Sequence, residues 1–331
     1  METFTVPVVA FLTAWAVTTW LASKASPFTI MDAPGERSLH AHPVPRGGGL
    51  GILSGLLAAS VLRWGLGFGA PVALLVVGTG LIATISLADD LRDIPPLIRL
   101  GIHVTAAVLL VVTLNGKWAD WWLYGLLVLL VVWMINLYNF MDGMDGFAGG
   151  MGVWGFGFLA LCGWLQGQEE YALSTLIVAA ANLGFLLCNF PPARIFMGDV
   201  GSATMGFLAA AYSISGISQG WLPAEVPLLI FSPFIVDATV TLFRRLLNRE
   251  RVWEAHRTHY YQKLVRSGWS HRRTVLAEYA LMLGSGMTAT LLLKYQSIAS
   301  KVALLGAWGL FYGVAILLVR SVERTGRESA A

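Results

Sequence analysis

Apolar positions in this chain come in long blocks rather than in alternation with polar ones. Runs long enough to cross a bilayer, about 17–25 residues each, lie at roughly 3–22, 48–66, 70–88, 97–114, 121–139, 146–165, 171–189, 201–219, 225–246, 274–293 and 301–319. Blocks of this length predict membrane helices, because a helix satisfies its own backbone hydrogen bonds where no water can. The expected fold is all-α, a polytopic membrane protein of 10–11 transmembrane helices forming a single integral-membrane domain over residues 1–331. Between the second and third blocks stands a turn carrying Gly65, Gly67 and Gly69, so a re-entrant pair is the alternative to two full spans there. The residues before the first block, Met1-Glu-Thr, contain no basic n-region, and that block is read as a retained span.

Composition agrees, with 56% hydrophobic and 12% charged residues, where soluble domains carry about 25% charged. A soluble chain of 331 residues could not hide that apolar excess in its core. The net charge of +3 matters less than its placement. If the loops alternate sides, one side receives 18 of the 22 Lys and Arg, and the other receives Arg63, Lys117, Lys294 and Lys301. The positive-inside rule makes the first side cytoplasmic and the N-terminus external. Trp64, Trp118, Trp121, Trp122, Trp164 and Trp221 then fall near the outer ends, where indoles favour the headgroup region. Cys162 and Cys188 lie in separate spans and support neither a disulfide framework nor a zinc site.

The long polar loops all fall on the cytoplasmic side, so an active site is expected there. The first, at 23–47, is broken by prolines and ends in Gly47-Gly-Gly; its Arg37, His40, His42 and Arg46 suit phosphate, or are ordinary positive-inside charges. The second, Ser86-Leu-Ala-Asp-Asp-Leu-Arg-Asp, clusters Asp89, Asp90 and Asp93 if the helix runs on to Asp93. Acids so close invite a divalent cation, a basic partner or a raised pKa; the plain alternative is a solvated loop with Arg92 and Arg99. The third, Asn136-Leu-Tyr-Asn139-Phe-Met-Asp142-Gly-Met-Asp145-Gly, sets two amides and two acids at the end of a span, an expensive place for charge. The fourth, Phe196-Met-Gly-Asp199-Val-Gly-Ser, opens the next span, with Ser202 as a candidate N-cap. The last polar loop, at 244–273, is strongly basic, and its His256 and His259 would share a helical face beside Arg257 and Lys263. It suits phosphate better than zinc, and binding of anionic lipid headgroups competes for its charge. Carboxylates for a divalent cation, cations for phosphate and an adjoining membrane groove together point to phosphoryl transfer between a soluble diphosphate compound and a lipid phosphate.

In order and spacing, Asp89-Asp90-x-x-Asp93, Asn136-x-x-Asn139-Phe-Met-Asp142-Gly-Met-Asp145-Gly, Phe196-Met-Gly-Asp199-x-Gly-Ser and the His-bearing loop resemble the polyprenyl-phosphate N-acetylhexosamine-1-phosphate transferases of glycosyltransferase family 4. The resemblance implies transfer of a sugar 1-phosphate from a UDP-N-acetylhexosamine to undecaprenyl phosphate, with release of UMP, at the bacterial inner membrane. It implies Mg2+ as cofactor, with Mn2+ as a substitute. By motif position, Asp199 and Asn139 would hold the metal, and Asp89 and Asp90 would activate the lipid phosphate. Asn136, Asp145 and Phe196 would bind the nucleotide, and Arg46, His256, Arg257 and His259 the phosphates and sugar. Asp142 completes the catalytic set, and either Asp89 or Asp142 would supply the nucleophile if the reaction ran in two steps.

Two departures from the peptidoglycan-precursor branch bear on substrate: Asp93 replaces a Lys, and His256-x-x-His259 with Tyr260 replaces three consecutive histidines. The last loop is similar to enzymes that initiate O-antigen and related surface glycans, some of which use 6-deoxy sugars. Membrane lipids are expected neighbours and nucleic acid is not; a homodimer is compatible with the sequence. The rival from another class is a cation- or proton-coupled transporter, for which Asp237, the one acid well inside a span, would be the ion site.

Overall fold

The computed structural model describes residues 2–28, 30–35, 39, 42–67, 73–113, 121–251, 256–295 and 297–328. All eleven apolar blocks are helical. They form α1 (Glu2–Leu21), α2 (Gly48–Gly65), α3 (Ala73–Arg92), α4 (Pro96–Thr113), α5 (Trp121–Phe140), α6 (Phe147–Leu165), α7 (Glu169–Asn189), α8 (Gly198–Ser218), the pair α9 (Glu225–Ile230) and α10 (Ser232–Leu247), then α12 (His271–Leu292) and α13 (Ile298–Glu328), with the short α11 (Tyr260–Arg266) before α12. Among the described residues nine helices are long and apolar enough to cross a membrane. The other two blocks are α3, whose last turn carries Asp89, Asp90 and Arg92, and the α9–α10 pair, interrupted at Phe231. Pro227 and Pro233 flank that interruption and withdraw two backbone donors from it. The block at 48–66 forms one continuous helix over Gly48–Gly65.

Small residues set the tight contacts. In lipid, helices associate by close packing rather than by hydrophobic exclusion, so Gly and Ala at an interface let backbones approach. Gly49 of α2 lies against the backbone of Gly201 in α8, and a Cβ on Gly201 would come 2.8 Å from the Gly49 Cα. Likewise a Cβ on Gly206 would come 2.8 Å from the Ile135 Cα, which seats α8 on α5. In the spans of α6, α7 and α8, 67%, 67% and 78% of the residues are buried; these three helices form the centre of the molecule.

The loop before α2 is laced onto the start of α8. Strand β1 (Ile30–Asp32) pairs antiparallel with β2 (Val44–Arg46), and Arg46 continues as a parallel bridge to Phe196. Phe196 N donates to the Pro45 carbonyl at 2.8 Å, and its own carbonyl accepts from Gly48 N at 2.9 Å. Gly47, at φ 118, makes the turn from strand into helix. Below the α5–α6 loop an aromatic cluster joins Phe147 to Phe234 and Tyr261, with ring centroids 4.7 and 4.8 Å apart, and so ties that loop to α10 and α11.

Candidate active site

Four polar segments predicted from the sequence meet where α3 and α5 end and α8 begins. Asp199 is the second residue of α8, and the preceding Gly198 has φ +73, a left-handed turn that leaves backbone where a side chain would crowd Asp90. A Cβ on Gly198 would lie 3.2 Å from Asp90 Oδ2. Asp90 is buried. Its Oδ2 accepts from Val200 N at 3.4 Å, its carbonyl accepts from Arg46 Nη2 at 2.7 Å, and Arg46 Nη1 stands 3.6 Å from Oδ1. Asp89 faces the other way, accepting from Ile94 N at 2.7 Å and pairing with Arg99. Arg99 also reaches Asp199 Oδ2 at 3.7 Å, so one guanidinium joins the acid pair to the acid of α8.

The structure corrects the acidic cluster of three. Helix α3 stops at Arg92, and Asp93 takes a left-handed φ of 45 and is exposed, a conformation that Asp tolerates better than most side chains. Ser202 is likewise not a cap: the N-cap of α8 is Met197, and Ser202 lies buried inside the helix, where it accepts from Asn139 Nδ2 at 3.0 Å.

Within the α5–α6 stretch the four polar residues divide. Asn136 Nδ2 returns to the Val132 carbonyl of its own helix, while Asn139 reaches across to α8. Asp145 is buried, accepts from Ala193 N at 3.0 Å, and meets His271 Nδ1 at 3.2 Å. Asp142, in the loop beyond the span, is half-buried. Burial first, then the charges of Asp199, Asp90 and Asp32, hold its carboxyl well above the usual range.

Two cavities open from Asp199. One, of about 220 Å³, is lined by Asp142, Asp145, Phe196, Arg46, Asp32 and His271 as well as Asp199. The other, of about 150 Å³, runs between α4, α5 and α8 and combines Asp89, Arg99, Asn136 and Asn139 with the apolar Leu100, Ile135 and Phe140. Asp199 is the acid common to both, with a side chain 36% exposed.

The oxygen donors here fit a hard cation. Asn139, whose Nδ2 donates to Ser202 Oγ, lines one cavity with Asp199, and Asp142 lines the other with it. Among the described residues no group of three or more His, Cys, Asp and Glu forms a closed cage. Magnesium uses one or two carboxylates, keeps waters and shares phosphate oxygens of a substrate, so it needs no such cage. The like charges that raise Asp142 are the field a divalent cation would neutralise.

The last loop is arranged differently from the expectation. His256 and His259 precede α11 instead of sharing a face of it, yet their rings stack with centroids 4.9 Å apart. His259 is buried and N-caps α11; its Nδ1 lies 3.2 Å from Asp237 Oδ1, and it stacks on Phe140 at 6.4 Å. His256 is pushed down to about 4, by burial and by the neighbouring His259 and Arg245 charges, so it is neutral near pH 7. Arg257 is exposed. None of the three lines either Asp199 cavity. Of the first-loop cations, His42 is exposed, whereas Arg37 and His40 lie outside the described residues.

Sequence reasoning missed His271 and the partners of Asp237, and took Arg99 only as a neighbouring charge. Asp237 accepts from Tyr260 N at 2.9 Å, Tyr261 N at 3.0 Å and Thr241 Oγ1 at 3.1 Å. Its carboxylate thereby caps α11 and orients His259, which accounts for an acid inside a span without an ion path. Arg99 did leave a signal, since a cation one turn into an apolar helix calls for a partner.

Comparison with known proteins follows the same line. The model of the family described as Glycosyl transferase family 4 matches residues 72–217. The chain is 30% identical over 289 residues to the "Probable undecaprenyl-phosphate N-acetylglucosaminyl 1-phosphate transferase" of Bacillus subtilis (strain 168), covering 83% of this chain and 80% of that one. It is 31% identical over 313 residues to the "Decaprenyl-phosphate N-acetylglucosaminephosphotransferase" of Mycolicibacterium smegmatis, covering 82% and 77%. The likeness to the "Phospho-N-acetylmuramoyl-pentapeptide-transferase" of Anoxybacillus flavithermus, 32% identical over 132 residues, covers 39% of this chain and 38% of that protein.

Proposed function

We infer the reaction from one premise: this chain belongs to glycosyltransferase family 4, the polyprenyl-phosphate N-acetylhexosamine-1-phosphate transferases. Its proposed activity is transfer of a sugar 1-phosphate from a UDP-N-acetylhexosamine to undecaprenyl phosphate, giving undecaprenyl-diphosphate-sugar and UMP, as the first membrane step of a surface glycan. The site faces the cytoplasm of a bacterial inner membrane, with the N-terminus external, and the whole chain acts as one integral-membrane domain. The observation that carries this reading is Asp199, shared by two cavities, of which the second adds the apolar Leu100, Ile135 and Phe140 to its polar lining. A nucleotide suits the first, where Asp145 and Phe196 stand, and a lipid phosphate the second, where Arg99 stands among Leu100, Ile135 and Phe140.

In that arrangement Arg46 and Arg99 balance phosphate charge from two sides, and Arg99 exchanges its carboxylate partners for the lipid phosphate. Asp89, released from Arg99, takes a proton from that phosphate in this reading, with the buried Asp90, held by Arg46, supporting it from the neighbouring position. A lipid phosphate oxygen bonds to the sugar-bearing phosphorus, and the bridging bond to UMP breaks in line. Magnesium, held by Asp199 and Asn139 and replaceable by Mn2+, would supply charge neutralisation of the diphosphate when bound. Asn136 and Asn139 line the cavity of the lipid phosphate and Asp142 that of the nucleotide, and His256, Arg257 and His259 are assigned to the sugar and diphosphate. A single displacement needs no enzyme nucleophile; a sugar-phosphate adduct trapped on Asp89 or Asp142 by rapid quench would contradict it.

The donor is best matched by UDP-N-acetylglucosamine, because the relatives that span most of this chain are named for that sugar while the pentapeptide transferase covers 39% of it. The test is to supply purified protein with Mg2+, undecaprenyl phosphate and a panel of UDP-N-acetylhexosamines, 6-deoxy forms included. UMP and lipid-linked sugar should appear in equal amounts with one donor. Folded protein that releases UMP from none would refute the reading. The transporter alternative loses its main support, since Asp237 is engaged by the backbone of α11.

A further inference from the structure

A second cavity system lies away from the carboxylates, where α10, α11 and α13 meet. It has a volume of about 550 Å³ and is walled by Arg244, Asn248, Lys263, Arg266, Arg320 and Glu323. Four cations against one acid leave it strongly positive. Lys263 is paired, with Nζ 2.9 Å from Glu323 Oε2. The three arginines have no carboxylate among the described residues: Arg320 reaches the Tyr260 hydroxyl at 3.5 Å, Arg266 the Arg257 carbonyl at 3.4 Å, and the buried Nε of Arg244 finds no partner. Guanidinium groups that outnumber the one acid beside them, itself paired with Lys263, are the donor set that phosphate oxygens satisfy.

The rim identifies the source of the phosphate. Within the last turn or so before Asn248 come the exposed Phe243, Leu246 and Leu247 of α10, and within one turn before Arg320 the exposed Leu317 and Leu318 of α13. The pocket therefore sits where exposed apolar helix surface gives way to a basic recess, the profile of a headgroup with its acyl chains. None of the residues that line the Asp199 cavities contributes to it.

We propose that the recess between α10, α11 and α13 is a second phosphate site, which holds the phosphodiester of an anionic phospholipid independently of the transfer reaction. Its roof is α11, the helix whose capping residue is His259, so the bound lipid would brace that loop from the membrane side.

The test titrates delipidated full-length protein in detergent with phosphatidylglycerol, with phosphatidylcholine of the same acyl chains, or with inorganic phosphate, and reads the apparent melting temperature. Phosphatidylglycerol should stabilise the wild type and phosphatidylcholine should not. Each of Arg244→Gln, Arg266→Gln and Arg320→Gln should weaken the apparent affinity for phosphatidylglycerol roughly fivefold, from about 1 kcal/mol per basic residue near an anionic surface. Glu323→Gln, which removes the opposing acid, should tighten it, a gain that misfolding cannot imitate. Equal affinity in the wild type and all four variants, or equal stabilisation by both lipids, would overturn the site. Saturation by inorganic phosphate alone at the same strength would overturn the lipid assignment. No substrate is present, so neither result depends on the proposed transfer activity.

Discussion

Helices α8 and α13 are both apolar enough to span a membrane, yet 78% of the α8 span is buried and only 6% of the α13 span. The more apolar of the two is the exposed one, α13. In a lipid solvent hydrophobicity does not mark the interior, because lipid is as apolar as leucine. What distinguishes α8 is small residues, Gly-Ser-Ala-Thr and later Ala-Ala-Ala, which let α2, α3 and α5 close on it. Large side chains such as Leu310, Phe311, Leu317 and Leu318 on α13 meet the surroundings instead. The buried helix holds Asp199 at a fixed place, and the exposed one carries Arg320 to the membrane boundary.

The contrast can be broken by adding volume. Gly206→Val on α8 drives a side chain into the backbone of α5 and should cost at least about 3 kcal/mol, the upper end for overpacking, seen as a large fall in apparent melting temperature and yield. Next in size is Asp237→Asn. The amide leaves one of the α11 backbone donors facing an N–H, so about 1–3 kcal/mol is lost. Turnover should fall with it because His259 loses its orientation, and Asp237→Glu should restore neither fully, which separates geometry from charge. Smaller still is His256→Gln: a side chain neutral near pH 7 is replaced by another neutral hydrogen-bonding group, so turnover should stay within about threefold, well short of the 10²–10⁴ expected of a proton-transfer group. At the bottom, Gly313→Val on α13, where a Cβ meets nothing within 4 Å, should move stability by less than about 0.5 kcal/mol. A Gly313→Val loss as large as that of Gly206→Val would show that α13 is packed as tightly as α8.

The helices were legible because twenty-residue apolar blocks admit few other structures; all eleven blocks are helical, though among the described residues nine helices, short of the 10–11 expected, are long and apolar enough to span. That Asp89, Asn139 and Asp142 gather around Asp199, with Asp90 against the start of α8, was legible because costly polar groups at span ends need a common reason. Pairings that join distant stretches were not. Nothing in the sequence around Arg99 says that it bridges Asp89 and Asp199, nor around His271 that it meets Asp145. The end of α3 before Asp93 turns on a left-handed residue with no glycine to announce it. The role of Asp237 was misread for a related reason: its partners are backbone N–H groups of a helix more than twenty residues on, and backbone donors leave no trace in side-chain chemistry.

The central claim, that transfer is organised on Asp199 at the head of a rigid α8, is tested most directly by one comparison. Wild type and Asp199→Asn, matched for apparent melting temperature, are given UDP-N-acetylglucosamine, undecaprenyl phosphate and Mg2+, and UMP is counted against lipid-linked sugar. The account predicts equal yields of the two products from the wild type and a loss on the order of a thousandfold in Asp199→Asn, the scale of removing a preorganised charge from a reacting centre. UMP formation by Asp199→Asn within about tenfold of the wild type, at equal stability, would contradict it.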